Sequence, residues 1–170
     1  MNIRIAGAIL VVLGCGSVGF RIAAAYRYEE RILRQLLNAL DFMQCELQYR
    51  LTPLPELCRR VGSGVKGMVG DLFLKLGLEL ETQLTPDVSG CMESVLSSCG
   101  NLPGLTRQAL EHLGGSLGRF DLEGQLLGLE ATRRTCRESL EELTQDKPVR
   151  LRSYQTLGLC AGAALAILFI

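Results

Sequence analysis

Apolar residues recur at steps of three and four positions along most of this chain. The first clear series ends near Arg50 and comprises Leu33, Leu36, Leu40, Met43 and Leu47. A second series comprises Leu122, Leu126, Leu129, Cys136, Leu140 and Leu143, with Arg133 interrupting it. This spacing is typical of a helix that buries one face. The pattern predicts two long helices that pack antiparallel through matching stripes.

Shorter helices are predicted between these two. Thr52 is a favourable N-cap and Pro53 suits a first helical position, so a helix should start there and be broken by Gly62. Further helices are predicted at 65–80, from Thr85-Pro86-Asp87 to Cys99, and at 105–113, where Gly114-Gly115 ends the last. Strand-like alternation is missing. The predicted fold class is therefore all-α, a small bundle of about six helices.

The last long helix is predicted to begin near Arg119. Lys147-Pro148 should bend or break it, because proline removes one backbone donor and clashes with the preceding turn.

Both ends of the chain are apolar. Sixteen uncharged residues separate Arg4 from Arg21, and eighteen follow Arg152. A spanning helix needs about 20 residues, with a lower limit near 17. Flanking arginines extend the usable length by reaching the headgroups. We therefore predict transmembrane helices at 1–21 and 151–170, on either side of a helical domain at 22–150.

The charges beside these segments predict an orientation. Arg21, Arg27, Arg31 and Arg34 follow the first segment, and Lys147, Arg150 and Arg152 precede the second. Positive residues are enriched on the cytoplasmic side of membrane proteins. Both segments thus predict that the middle of the chain is cytoplasmic.

Two alternatives place the middle outside the cytoplasm. Ala23-Ala24-Ala25 could be a signal-peptidase site, but Arg21 stands between it and the apolar core. Val12-Leu13-Gly14-Cys15 faintly resembles a lipoprotein cleavage site, although the following residues stay apolar. An outward-facing lipoprotein or anchored helical adaptor is therefore the alternative function.

Composition argues against several functional classes. Lys+Arg and Asp+Glu number 18 each, so no net charge attracts nucleic acid. The seven cysteines form no Cys-x-x-Cys pair and have no histidine at zinc-ligand spacing, which favours reduced thiols over a disulfide scaffold or a metal site. No cofactor is expected.

A search for catalytic residues gives weak candidates only. Gly62-Ser63-Gly64-Val65-Lys66-Gly67 matches G-x-G-x-x-G, but no strand precedes it, so a flexible turn is the better interpretation. His112 is the single histidine and lacks a nearby nucleophile motif. Three polar residues could act as acid–base groups, namely Glu46, Asp121 and Gln125. We interpret them instead as residues that form hydrogen bonds at the end of the bundle. We therefore predict that this protein is not an enzyme.

A set of motif residues resembles a known family. They are Glu46, Tyr49, Thr52-Pro53-Leu54-Pro55, Leu117-Gly118, Asp121, Leu122, Gly124 and Gln125. Together with the two short apolar ends, they resemble the stage III sporulation protein AB family of endospore-forming Firmicutes. The resemblance covers nearly the whole chain. The glycine-rich 62–70 region and the cysteines depart from the usual family pattern.

The resemblance implies a non-catalytic protein of the mother-cell membrane facing the forespore. It would belong to the channel apparatus that links the two cells. The family's cytoplasmic domain is similar to a domain of the inner-membrane platform protein of type II secretion and type IV pilus systems. By that analogy the chain would dock a stage III sporulation AA-type ATPase, beside other channel proteins. A homo-oligomer is left open, and Arg59 and Arg60 are candidates for partner contact.

Overall fold

The computed structural model describes the backbone of residues 2–82, 87–118 and 121–169, and the side chains of 21, 24–82, 87–118 and 121–145. Over these residues it contains six α-helices and no strand. They are α1 (Asn2–Arg50), α2 (Leu54–Gly64), α3 (Met68–Thr82), α4 (Val88–Ser98), α5 (Gly104–Ser116) and α6 (Leu122–Phe169). The predicted all-α class is confirmed.

The chain divides into two compact units. One is Arg31–Glu141, which holds α2 to α5 together with the adjoining parts of α1 and α6. The other comprises Met1–Glu30 and Glu142–Ile170, which is helical wherever the structure describes it. The predicted boundaries at 1–21, 22–150 and 151–170 concern membrane insertion and stay a prediction.

Among the described residues, no helix contains a stretch that is long and apolar enough to cross a bilayer. The side chains of both predicted spans lie almost entirely outside the described residues. The backbone of these segments is helical from Asn2 and as far as Phe169. Their insertion into a membrane is untested.

The core of the Arg31–Glu141 unit contains the predicted stripe of α1. Leu33, Leu36 and Met43 are completely buried. Phe73 of α3 and Leu129 of α6 are also buried in this unit. Burying a leucine or phenylalanine side chain stabilises a fold by about 1.5–3 kcal/mol. The sequence pattern therefore identified the buried face of α1 correctly.

The glycine-rich 62–70 region is a close helix contact, and the predicted helix break at Gly62 is wrong. α2 packs against α3, and α2 continues through Gly62 to Gly64. A Cβ atom on Gly62 would lie 2.8 Å from the Gly70 carbonyl oxygen, and one on Gly70 would collide with the Val65 carbonyl oxygen. Glycine costs about 1 kcal/mol in a helix, but it lets the two helices approach. The turn between the two helices is limited to residues 65–67.

A further predicted helix end is wrong, and a predicted helix break is absent. α5 continues through Gly114-Gly115 to Ser116, because Gly114 packs on α4, where a Cβ atom would lie 2.8 Å from Met92 Cβ. α6 continues through Lys147-Pro148 without a break. A proline removes one donor from the helical hydrogen-bond ladder, so the bonds of neighbouring turns can still form.

The start of α4 is partly as predicted. Asp87 is its N-cap, and its carboxylate accepts a hydrogen bond from the Ser89 backbone N–H at 3.3 Å. Thr85 and Pro86 lie outside the described residues. The helix ends at Ser98, one residue before the predicted Cys99.

Candidate functional site

The corner between α1 and α2 begins with a left-handed residue. α1 ends at Arg50, and Leu51 has φ 52°. Pro53 is the N-cap of α2 and makes no capping bond through its side chain, so Leu54 is the first helical residue. The prediction that Thr52 caps α2 and Pro53 opens it is wrong. The Thr52 hydroxyl instead donates a hydrogen bond to Glu46 Oε2 at 3.2 Å.

The Glu46 carboxylate is the centre of a small polar network. Glu46 is only 9 % exposed. Arg60 Nη1 lies 3.4 Å from Oε2, and Arg50 Nη1 lies 3.5 Å from Oε1. The hydrogen bond from Arg60 to Glu56 raises the pKa of that guanidinium above its ordinary value, with further attraction from Glu56 and Glu46. These contacts offset the cost of burying a carboxylate.

The turn from α5 to α6 forms the opposite side of the corner. Gly118 has φ 73°, a conformation that costs glycine little. Asp121 caps α6: its Oδ1 accepts from the Gly124 N–H at 3.0 Å, and its carbonyl accepts from the Gln125 N–H at 2.9 Å. Asp121 is therefore the N-cap of α6, and the absence of an acid–base role stays a prediction. The predicted start at Arg119 lies outside the described residues, and α6 begins at Leu122.

These two turns enclose a surface groove of about 300 Å³, here called the corner groove. It is lined by Leu47, Leu51, Thr52, Pro53, Leu54, Gly118, Asp121, Leu122 and Gln125. Its volume lies at the lower end of the range of about 300–1,000 Å³ typical of binding pockets. Two apolar side chains on its rim are exposed, Leu51 at 67 % and Leu122 at 38 %. The groove can therefore receive one bulky apolar side chain of a binding partner.

The fold brings most of the predicted motif residues into this groove. Those in its lining are Thr52, Pro53, Leu54, Gly118, Asp121, Leu122 and Gln125. Glu46 lies behind them and binds Thr52. Pro55 is in the first turn of α2, where its carbonyl packs near Gly77. Tyr49 is 77 % exposed and does not line the groove. A functional role for these residues stays a prediction.

Sequence reasoning missed Leu51, the most exposed apolar residue of the groove. Leu51 follows Leu47 by four positions, so it would continue the buried stripe if α1 went on. The helix stops one residue earlier, and the positive φ turns Leu51 into solvent. No sequence signal marks this change, because the residue that adopts the left-handed conformation is not glycine.

The two candidate contact arginines already have intramolecular partners. Arg59 Nη1 lies 2.9 Å from Glu81 Oε1 and connects α2 to α3. Arg60 Nη2 lies 2.7 Å from Glu56 Oε1. A binding partner would have to compete with these ion pairs. Contact through Arg59 and Arg60 stays a prediction.

The remaining residues considered for catalysis or metal binding are His112 and the cysteines. His112 Nδ1 lies 3.3 Å from Thr132 Oγ1, which links α5 to α6. The five described cysteines are free thiols, with Cys45 exposed and Cys58, Cys91 and Cys136 buried. Burial raises the pKa of Cys58 to about 12 and that of Cys136 to about 11. No His, Cys, Asp or Glu side chains are grouped as metal ligands within the described ranges.

Comparisons with known proteins agree with the resemblance. The family model described as Stage III sporulation protein AB matches residues 4–170. A curated relative, Stage III sporulation protein AB of Bacillus subtilis (strain 168), is 23 % identical over 171 residues, which covers 99 % of each chain. A solved structure of a Stage III sporulation protein AB is similar with a TM-score of 0.62 and 20 % identity. That alignment covers 72 % of this chain and 98 % of the other, and at this identity it shows the fold alone. Since the family model matches nearly all of its residues, the chain belongs to the stage III sporulation protein AB family.

Proposed function

We propose that this chain is a non-catalytic membrane platform of the apparatus that connects mother cell and forespore, and that it docks a cytoplasmic secretion-type ATPase. Family membership supports a role in stage III sporulation. The ATPase would be the stage III sporulation AA type, and other channel proteins of the apparatus would be neighbours. The platform holds the motor in place and carries out no reaction itself.

Residues 1–21 and 151–170 anchor the platform in the mother-cell membrane. The positive flanks of both apolar segments support a cytoplasmic location for residues 22–150. This location gives a cytoplasmic ATPase access to the helical unit.

The corner groove is the docking surface that we assign to the ATPase. The single observation that carries this assignment is the convergence of motif residues from two distant parts of the chain around exposed apolar side chains. Leu51 has an unfavourable left-handed backbone and yet remains exposed. Strained residues concentrate at functional sites, and apolar anchors at the centre of an interface carry much of its binding energy.

Co-purification from sporulating cells tests the docking surface. The full-length tagged chain, extracted in mild detergent, should retain the ATPase. Leu51→Asp and Leu122→Asp should lower the recovered ATPase at least tenfold, because a charge would enter an apolar contact. The matched control is Leu78→Asp, at a leucine of α3 that is 58 % exposed and lies outside the groove. Equal loss in all three variants, or no ATPase in any mild detergent, would contradict the proposal.

Thiol labelling tests the topology. Cys45 is the appropriate probe, because Cys58 and Cys91 are buried. In a variant with Cys15, Cys99 and Cys160 replaced by serine, the other remaining cysteines are buried. Cys45 is then the accessible thiol. A membrane-impermeant maleimide should label it only after the cells are permeabilised. Labelling in intact cells would place the domain outside the cytoplasm.

A further inference from the structure

A stripe on the outer face of α1 carries exposed, uncharged side chains. Asn38, Phe42, Cys45 and Tyr49 follow one another at steps of four, three and four, on the side opposite the buried stripe. Phe42 is 38 % exposed and Tyr49 77 %. Within the Arg31–Glu141 unit these side chains have little cover, although both aromatic rings bury large apolar areas in a contact. We refer to these four residues as the α1 outer stripe.

The spacing and chemistry of the α1 outer stripe fit a second copy of the same helix. Steps of four and three form the seam along which two helices pack as a coiled coil. None of the four side chains is charged, so identical residues can meet without like-charge repulsion. The Asn38 amide has both donors and an acceptor, and can therefore bond to its own counterpart. A polar residue at such a position is known to fix register.

The acidic groups beside the stripe are bound within the chain. Asp41 Oδ1 accepts from Arg133 Nη1 at 2.9 Å, and Glu46 accepts from Arg60 and Thr52. They therefore bring little unbalanced charge to a contact between identical surfaces. Arg34, four positions before Asn38, is charged and exposed, and it ends the uncharged stretch. The contact is limited to about three helical turns.

We propose that two copies of the chain associate through the α1 outer stripe, with the helices parallel and in register. The parallel direction rests on the proposed function, because two copies anchored in one membrane enter it in the same sense. A seam of four residues buries less than the roughly 800 Å² per partner of a standard interface. The association therefore depends on the high local concentration that a shared membrane provides.

Disulfide formation between two copies of Cys45 tests this arrangement directly. A disulfide requires Cα atoms about 4.4–6.8 Å apart, which equivalent residues in the seam of a parallel pair can reach. Membranes that contain the full chain with serine at positions 15, 99 and 160 are treated with diamide, which accepts the two electrons and two protons of the thiols. Cys45 should give a covalent dimer at least ten times faster than the matched control, Cys45→Ser with Gln48→Cys. Gln48 is exposed on the same helix but lies off the stripe.

A second variant separates the contact from random collision. Phe42→Glu changes an exposed residue and should still fold, as judged by circular dichroism, while the Cys45 dimer falls at least fivefold. Equal dimer formation at positions 45 and 48, no effect of Phe42→Glu, or a Cys45 disulfide to another protein would overturn the inference. Cys45 labelling in intact cells reports failure of the proposed topology separately, and ATPase recovery reports failure of the corner groove.

Discussion

The Thr52 hydroxyl donates a hydrogen bond to Glu46 Oε2 at 3.2 Å. This bond connects the corner between α1 and α2 to the last turns of α1. Both residues are 9 % exposed. The bond spans six residues and encloses the left-handed Leu51. It therefore fixes the direction in which α2 leaves α1 and the position of Leu51 at the rim of the corner groove.

Thr52→Asp should be destabilising. Aspartate is a better N-cap than threonine, so this change would be neutral or favourable if Thr52 capped α2. At its observed position the new carboxylate would face Glu46 and replace the donated bond with repulsion. We expect a loss of about 1–3 kcal/mol in the free energy of unfolding, measured by urea denaturation.

Thr52→Ser is the matched control for this change. It keeps the hydroxyl, so its loss should stay below about 1 kcal/mol. If the aspartate variant were as stable as the wild type, the bond to Glu46 would not hold the corner.

Leu51→Gly should stabilise the fold by about 0.5–1 kcal/mol. A left-handed conformation costs a non-glycine residue about 1–2 kcal/mol, and the greater freedom of glycine in the unfolded chain offsets part of the gain. Leu51 is 67 % exposed, so little packing is lost. The urea midpoint should rise for Leu51→Gly and stay or fall for Leu51→Ala, which keeps the Cβ atom. A fall of similar size in both would mean that Leu51 acts through packing. The same glycine variant should recover less ATPase, which would separate docking from stability.

Gly70→Ala and Gly64→Ala should differ sharply. A Cβ atom on Gly70 would collide with the Val65 carbonyl oxygen, whereas one on Gly64 would meet nothing within 4 Å. Overpacking against backbone costs about 1–3 kcal/mol or more, while an alanine in open space at the end of a helix changes stability by less than about 1 kcal/mol. Thermal unfolding of both variants checks the difference. Similar melting temperatures would show that α2 and α3 can separate at little cost.

Stability should fall at alkaline pH because of Cys58. Burial raises the pKa of this thiol from 9.0 to about 12. Between these values the unfolded thiol releases its proton and the folded one retains it. The contribution is therefore complete below pH 9 and is lost as pH rises toward 12, at about 1.4 kcal/mol per pH unit. Urea denaturation under reducing conditions at pH 8.5, 9.5 and 10.5 measures this slope.

Two variants assign that slope to Cys58. For Cys58→Ala, the free energy of unfolding should fall less steeply with pH than for the wild type. The difference should be close to one proton over this range, whatever the absolute stability of the variant. Cys45→Ala removes an exposed thiol and should leave the slope unchanged. Equal slopes in all three proteins would mean that Cys58 ionises in the folded state as readily as in the unfolded one.

The sequence determined the helical class of the fold and the buried face of α1. Leu33, Leu36 and Met43 lie in the core because a three-and-four spacing leaves a helix one apolar side to bury. The motif residues also identified the family, since that signal lies in residue types and spacing alone.

Tertiary structure decided the ends of helices and the surface that the motif residues form. The sequence predicts helix ends at Gly62 and Gly114, yet each lies where another helix approaches too closely for a side chain. Thr52 bonds to Glu46 rather than to α2, and Leu51 turns outward although its position continues the buried stripe. Each of these outcomes depends on a neighbour that folding brings into contact, and local spacing carries no information about such neighbours.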